Sequence, residues 1–147
     1  GTHAVRKQMN RGMRKHLGRP EGKMVKGDSL ICLSNNPALG IVNGSIFTVE
    51  EVEQDEKRVV HARVIDDFGE RRNLPFWKPL LEEDEVNTSK VPFFVAPATW
   101  ANCITVHKSQ GSEWGHVIVT DSWRGSNYDQ WLYTAITRGS RRVDFVR

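Results

Sequence analysis

The chain has 147 residues, 38% of them hydrophobic and 27% charged, a globular balance that argues against wholesale disorder and sets an expectation of about one domain of ~100–200 residues. No run approaches the ~18 uninterrupted apolar residues of a membrane span. The first twelve residues form no charged-then-apolar leader, and two cysteines cannot build a disulfide framework, so the expectation is a soluble cytoplasmic protein, away from any membrane, with Cys32 and Cys103 as buried free thiols. The net charge of +3 hides a partition, because residues 1–27 sum to +7, residues 28–90 to −6 and residues 91–147 to +2. Two basic flanks enclose an acidic middle. A basic flank can neutralise a polyanion or simply be a solvated helix face. The partition also suggests an insertion, with 28–90 carried by a parent domain made of 1–27 and 91–147.

In chain order, residues 3–17 place Val5, Met9, Met13 and Leu17 at steps of four, which predicts an amphipathic helix with an apolar stripe and a basic opposite face. Thr2 is its candidate N-cap, and Gly18 with Pro20 ends it. From Ser29 the period changes. Ser29–Leu33, Ile46–Val52, Val59–Ile65 and Arg72–Phe76 are short β-rich runs. They are separated by the turn signals Asn35-Asn36-Pro37, Asn43-Gly44, Asp55-Glu56-Lys57 and Asp67-Phe68-Gly69. This spacing predicts a small all-β barrel or sandwich, followed by an acidic loop at Glu82–Glu85. Further on, Phe93–Ala96 is expected as a strand and Ala101–Ser109 as a short helix closed by Gly111. Val117–Thr120 is expected as a strand, Tyr128–Thr137 as a helix and Val143–Val146 as a last strand. That alternation is α/β, part of a parallel sheet.

Three stretches carry candidate chemistry. Gly18–Met24 looks like a phosphate loop but fails: three residues separate its glycines, and Met24 stands where Ser or Thr must hold magnesium. It reads as a helix-ending loop. Thr105–Glu113 packs short donors, Lys108 and Gly111 into one turn, with hydroxyls and a point charge suited to phosphate and an acid suited to sugar hydroxyls. The plainer alternative is a polar helix end with a capping glycine. Tyr133–Gly139 puts Arg138 at the end of an apolar helix. An Arg held there can stabilise a transferring phosphoryl group or merely cap the helix.

Together, about 25 residues apart and in this order, the last two stretches sharpen the signal. Thr105–Glu113 resembles motif V, and Tyr133–Arg138 resembles motif VI, of superfamily 1B DNA helicases of the RecD-like kind, whose C-terminal domain is of the UvrD-like helicase type. Thr2–Arg6 with Asn10 and Arg14 resembles the segment that opens the second half of their second RecA-like domain (2A). Gly27-Asp28 through Asn35-Asn36, Gly40, Asn43-Gly44 and Val49 resembles the start of their SH3-like 2B insertion. The resemblance implies a partial RecA-like, P-loop NTPase-type parallel sheet with an inserted small SH3-like β-barrel.

By the same resemblance, Lys108, Gln110, Gly111 and Glu113 would face ATP, with Glu113 at the ribose, and Arg138 would be the catalytic finger on the γ-phosphate. Thr105, His107 and Thr2 would face single-stranded DNA, with Arg6 and Arg14 weaker candidates for backbone contact. Asn43 and Gly44 would shape a turn and Trp114 would pack. No residue is assigned to a metal. ATP and Mg2+ would be held mainly by an N-terminal RecA-like domain of the same polypeptide, whose Walker motifs this stretch lacks. The chain is thus expected to be a piece of a longer helicase that acts in replication, recombination or repair. It would move 5′ to 3′, be inactive alone, and have nuclease or recombination subunits among its implied partners. The rivals are a non-catalytic nucleic-acid-binding module and a protein-interaction module whose acidic part docks a basic partner.

Overall fold

The computed structural model describes residues 3–82, 87–121 and 123–147. The chain divides into two compact units, one of residues 9–102 and one of residues 1–8 with 103–147. The first helix, α1 (His3–His16), runs through the start of both. Its span is the expected one, but its buried row is not. Arg6, Asn10 and Arg14 are buried, whereas Met13 and Leu17 of the anticipated apolar stripe are exposed. The helix ends on Gly18 at φ +71. There Arg19 N–H donates to the Arg14 carbonyl (2.9 Å) and Gly18 N–H to the Lys15 carbonyl (3.0 Å), the paired bonds of a left-handed glycine cap. Met24 is buried in the core, so the Gly18–Met24 stretch is a helix terminator and not a phosphate cradle.

In the larger unit, β1 (Ser29–Cys32), β2 (Ile46–Asp55), β3 (Val59–Asp66), β4 (Arg71–Trp77) and β5 (Ala98–Trp100) form one antiparallel sheet in the order β4-β3-β2-β1-β5. A short helix, α2 (Pro79–Glu82), follows β4. The turns at Gly44 and Gly69 stand where the sequence placed them, at φ +91 and +80. Alternate residues of β2, β3 and β4, among them Phe47, Val49, Val60, Ala62, Val64, Leu74 and Phe76, turn to one side and make the core. The expected closed barrel is not observed. The strand order is linear, and among the described residues the bridge Phe76–Ala96 links the far edge to the segment before β5. The expected strand at Phe93–Ala96 is also absent. Pro92 and Pro97 withhold two N–H groups there; Ala96 makes only an isolated bridge to Phe76, and the ladder to β1 starts at Ala98, against Cys32. Neither cysteine is in a disulfide; Cys32 is buried, as expected, and Cys103 is half-buried.

One ionic cluster holds this unit's helix, loop and sheet together. Asp28 is completely buried. Its carboxylate accepts from Arg14 Nε (3.0 Å) and Nη2 (2.9 Å), Arg19 Nη1 (3.0 Å) and Val25 N–H (2.8 Å). Arg14 also donates to the carbonyls of Pro20 and Lys23, both at 2.7 Å, and its guanidinium carbon lies 3.7 Å from the centroid of the Trp100 ring on β5. A desolvated charge is tolerable only when it is paired and fully bonded, and Asp28 meets both conditions.

In the smaller unit, β6 (Trp114–Thr120) and β7 (Gly139–Val146) pair in parallel, joined by the helix α3 (Tyr128–Ile136). Val117, Val119 and Val143 pack with Trp131 and Ala135, while His116, Ile118 and Asp144 share the opposite face by register. This is the expected α/β element, with two parallel strands among the described residues. The predicted helix at 101–109 shrinks to a single 3-10 turn, His107–Ser109, because Ile104, Thr105 and Val106 are β-branched and poor helix formers. No described helix is long and apolar enough to cross a membrane.

Two outcomes are expected. Asp28→Asn should lower the unfolding free energy of the 9–102 unit by about 3–5 kcal/mol, since it leaves two arginines without their buried partner. Urea titration followed by tryptophan fluorescence measures this, and a loss under about 1 kcal/mol would remove the cluster from its structural role. Second, Arg142 and then His116 bond to Asp144 and hold its carboxyl below the ordinary 3.8. The stabilisation is therefore present above the unfolded value of about 3.9 and is lost as pH falls through the lower folded value. An NMR titration should show Asp144 protonating below 3.8, and a midpoint at or above that value would contradict the bonding.

Candidate functional site

The stretch from Thr105 to Glu113 is wound on its own backbone. Ser109 N–H donates to the Thr105 and Val106 carbonyls, each at 3.1 Å, and Ser112 N–H donates to the Ser109 carbonyl at 3.1 Å. The Ser109 hydroxyl donates to the Val106 carbonyl at 2.6 Å, and Thr105 Oγ1 accepts a long bond from Lys108 N–H at 3.4 Å. Gly111, at φ +85, reverses the chain in the left-handed region that suits glycine. His107, Gln110, Gly111 and Glu113 are exposed, Thr105 and Lys108 are half-buried, and Ser109 is buried.

Arg138 follows α3 and reaches back to this loop. Its Nη1 donates to the Ser112 carbonyl at 3.0 Å and, at 3.5 Å, to that of Ser109. Nε donates to the Thr134 carbonyl at 3.1 Å, and Nη2 to Thr137 Oγ1 at 3.0 Å. The backbones meet as well. Trp114 N–H donates to the Arg138 carbonyl at 2.8 Å, and Trp114 stands opposite Gly139 in the β6–β7 register. Glu113 and Arg138 thus sit where the two parallel strands begin. Carbonyl oxygens orient the guanidinium without neutralising it, and among the described residues it forms no ion pair. A fixed, uncompensated cation of this kind suits a planar or tetrahedral oxyanion. Gly139 is required beside it: a Cβ there would lie 2.4 Å from Val143 Cγ2 and 2.9 Å from the Arg142 carbonyl oxygen.

The remaining candidates fall elsewhere. Thr2 lies outside the described residues. Arg6 is only 7% exposed, and burial holds its guanidinium below its ordinary pKa, opposed by its attraction to Cys103. Burial likewise pushes the Cys103 thiol up, with Arg6 pulling it back. Arg6 therefore does not stand on the surface for a phosphate. Neither does Arg14, which belongs to the Asp28 cluster. Trp114 is half-buried. The sequence offered Ser109 as a hydroxyl donor to phosphate and did not single out Ser112; what both give Arg138 is a main-chain carbonyl. No side-chain pattern announces such groups. No group of three or more His, Cys, Asp or Glu that could hold a metal ion occurs among the described residues.

Residues 101–146 match the family profile of the UvrD-like helicase C-terminal domain. The fold is similar to that of Pif1 helicases. A Bacteroides Pif1 helicase in complex with ADP-AlF3 and single-stranded DNA is 25% identical, with 85% of this chain and 29% of that one covered at a TM-score of 0.55. A Pif1 helicase described as one of two coordinating copies unwinding forked double-stranded DNA is 24% identical, with 83% and 27% covered at 0.53. The Candida albicans Pif1 helicase is 16% identical, with 84% and 32% covered at 0.54. The chain therefore spans less than a third of the length of these helicases. No curated protein sequence matches it.

Two substitutions test the site's construction. Arg138→Ala should speed amide hydrogen exchange at Ser109 and Ser112 while leaving the 9–102 unit unchanged. Gly111→Ala should destabilise the smaller unit by about 1–2 kcal/mol, the usual penalty for a left-handed non-glycine residue. Unchanged exchange in the first variant would show that the loop holds itself without Arg138.

Proposed function

We propose that this chain is the C-terminal motor portion of an ATP-dependent superfamily 1B DNA helicase, a RecA-like half of the RecD-like type carrying an SH3-like insertion. The observation that carries the proposal is Arg138, held by the carbonyls of Ser109 and Ser112 on the loop that bears Thr105 and His107. One side chain thereby ties the nucleotide-facing stretch to the DNA-facing one. The match of residues 101–146 to a helicase C-terminal profile supports it. So do neighbours described as bound to single-stranded DNA and to ADP-AlF3.

The donor set fits part of a nucleotide site. Arg138 and Lys108 supply positive charge, and exposed Gln110 and Glu113 supply a polar edge. The described residues include no glycine-loop cradle and no carboxylate cluster for Mg2+, so the N-terminal RecA-like domain of the longer polypeptide would hold the phosphates and the metal. When bound, ATP supplies the phosphoanhydride whose hydrolysis drives movement. Arg138 stabilises charge on the transferring group, Glu113 accepts from the ribose, and Lys108, Gln110 and Gly111 line the approach. Thr105, His107 and Thr2 hold phosphates of single-stranded DNA and shift along it as the two halves close and open, giving 5′ to 3′ motion. Nuclease or recombination subunits are partners consistent with this role, and the cytoplasm is the matching compartment.

In the longer polypeptide, Arg138→Ala is expected to lower DNA-stimulated ATP hydrolysis by about a thousandfold or more, as for other arginine fingers. The 147-residue chain alone is expected to show no turnover. Hydrolysis by the isolated chain that disappears in Arg138→Ala would overturn the division of labour.

A further inference from the structure

Phe93 and Phe94 are 77% and 57% exposed, although they occupy the apolar run expected as a strand. Their rings meet edge to face, with centroids 5.5 Å apart and planes at 90°. The backbone beneath them is fixed. Asn36, itself buried, donates from Nδ2 to the Phe93 carbonyl at 2.8 Å and to the Val95 carbonyl at 3.1 Å, while its Oδ1 accepts from Leu39 N–H at 3.2 Å. Val95 N–H closes a turn on the Pro92 carbonyl at 3.0 Å, and the Val95 side chain is fully buried. The two rings are thus presented on a pinned turn, which lowers the ordering penalty of binding.

From residue 86 to residue 112 the sequence around the rings carries basic and no acidic residues, and it includes Lys90, which is exposed. The loop 33–45, which Asn36 fastens to the aromatic turn, has no charged residue of its own. Arg72 donates to the Leu39 and Gly40 carbonyls of that loop. The other displayed aromatic of this unit is electrostatically opposite. Phe68, 92% exposed at the β3–β4 tip, is flanked by Asp66, Asp67 and Glu70, and Asp66 Oδ1 accepts from the N–H groups of Phe68 and Glu70, each at 2.9 Å. That acidic tip repels phosphates, whereas the Phe93–Phe94 turn does not.

We propose that Phe93 and Phe94 form a stacking platform for unpaired nucleic-acid bases, with Lys90 and Arg72 providing the positive potential for the strand's phosphates. The platform rests on the DNA-binding reading given above and adds to it a contact with the bases themselves. Aromatic faces beside cations are the usual means of holding single strands without sequence preference. Two phenyl rings offer far less than the ~800 Å² that each partner contributes to a stable protein interface, and their area suits a base or two.

The test is fluorescence anisotropy with the 147-residue chain, comparing a labelled oligo-dT with an abasic deoxyribose-phosphate oligomer of equal length. Wild type is expected to bind oligo-dT roughly tenfold or more tightly than the abasic strand, in line with the usual value of base–aromatic stacking. The double variant Phe93→Ala/Phe94→Ala should lose that preference while keeping its abasic affinity. Phe93→Leu/Phe94→Leu, which keeps apolar bulk without π faces, should do the same. Phe68→Ala should change neither. Equal wild-type affinity for the two strands, or a preference that survives both double substitutions, overturns the platform and leaves the DNA-binding reading standing. Binding to neither strand overturns both.

Discussion

The larger unit depends on the removal of one carboxylate from water. Asp28 sits at the entry to β1, and its burial would be prohibitive without Arg14, Arg19 and the Val25 amide around it. In meeting that requirement, the cluster fixes the end of α1, the turn that follows it and, through the face of Trp100, the strand β5. The backbone extends the constraint into the sheet, since at the margin of the β1–β2 ladder Val49 N–H donates to the Asp28 carbonyl and Gly27 N–H donates to the Val49 carbonyl. Helix, loop and sheet are therefore oriented by a polar contact, and the apolar core fills in behind it.

The smaller unit uses an arginine in a related but chemically distinct way. Arg14 has a carboxylate partner and is structural. Arg138 is held by three main-chain carbonyls and the Thr137 hydroxyl, so its geometry is set by neutral oxygens, with no carboxylate partner among the described residues. This difference is why the functional proposal rests on Arg138 and not on the more basic N-terminal stretch. Of the basic residues that suggested a polyanion-facing flank, Arg6 and Arg14 lie inside the molecule and Arg19 is paired with Asp28.

Glu113 and Arg138 precede the first residues of the parallel strands β6 and β7. The 105–113 loop closes on itself through short-range bonds, and Arg138 crosses about 26 residues of sequence to reach Ser112. Glycines at 111 and 139 make this possible for different reasons: one needs a left-handed turn, the other needs space beside Val143.

Strand-rich and helix-rich segments were legible from residue periodicity and turn chemistry, because these are local. Hence α1, β2, β3, β6, α3 and β7 stand close to where the sequence placed them. The two loop motifs were legible because their residue types sit in short, ordered spacings. Which face of α1 is buried was not legible, since Asp28 lies 14 residues beyond Arg14 and a hydrophobic stripe says nothing about a distant carboxylate. Nor was the failure of the Phe93–Ala96 strand, which follows from two prolines and from Asn36 fastening that turn 57 residues away. Local composition settled which elements form. Long-range polar contacts, invisible to periodicity, decided how they face one another within each unit and where Arg138 is held.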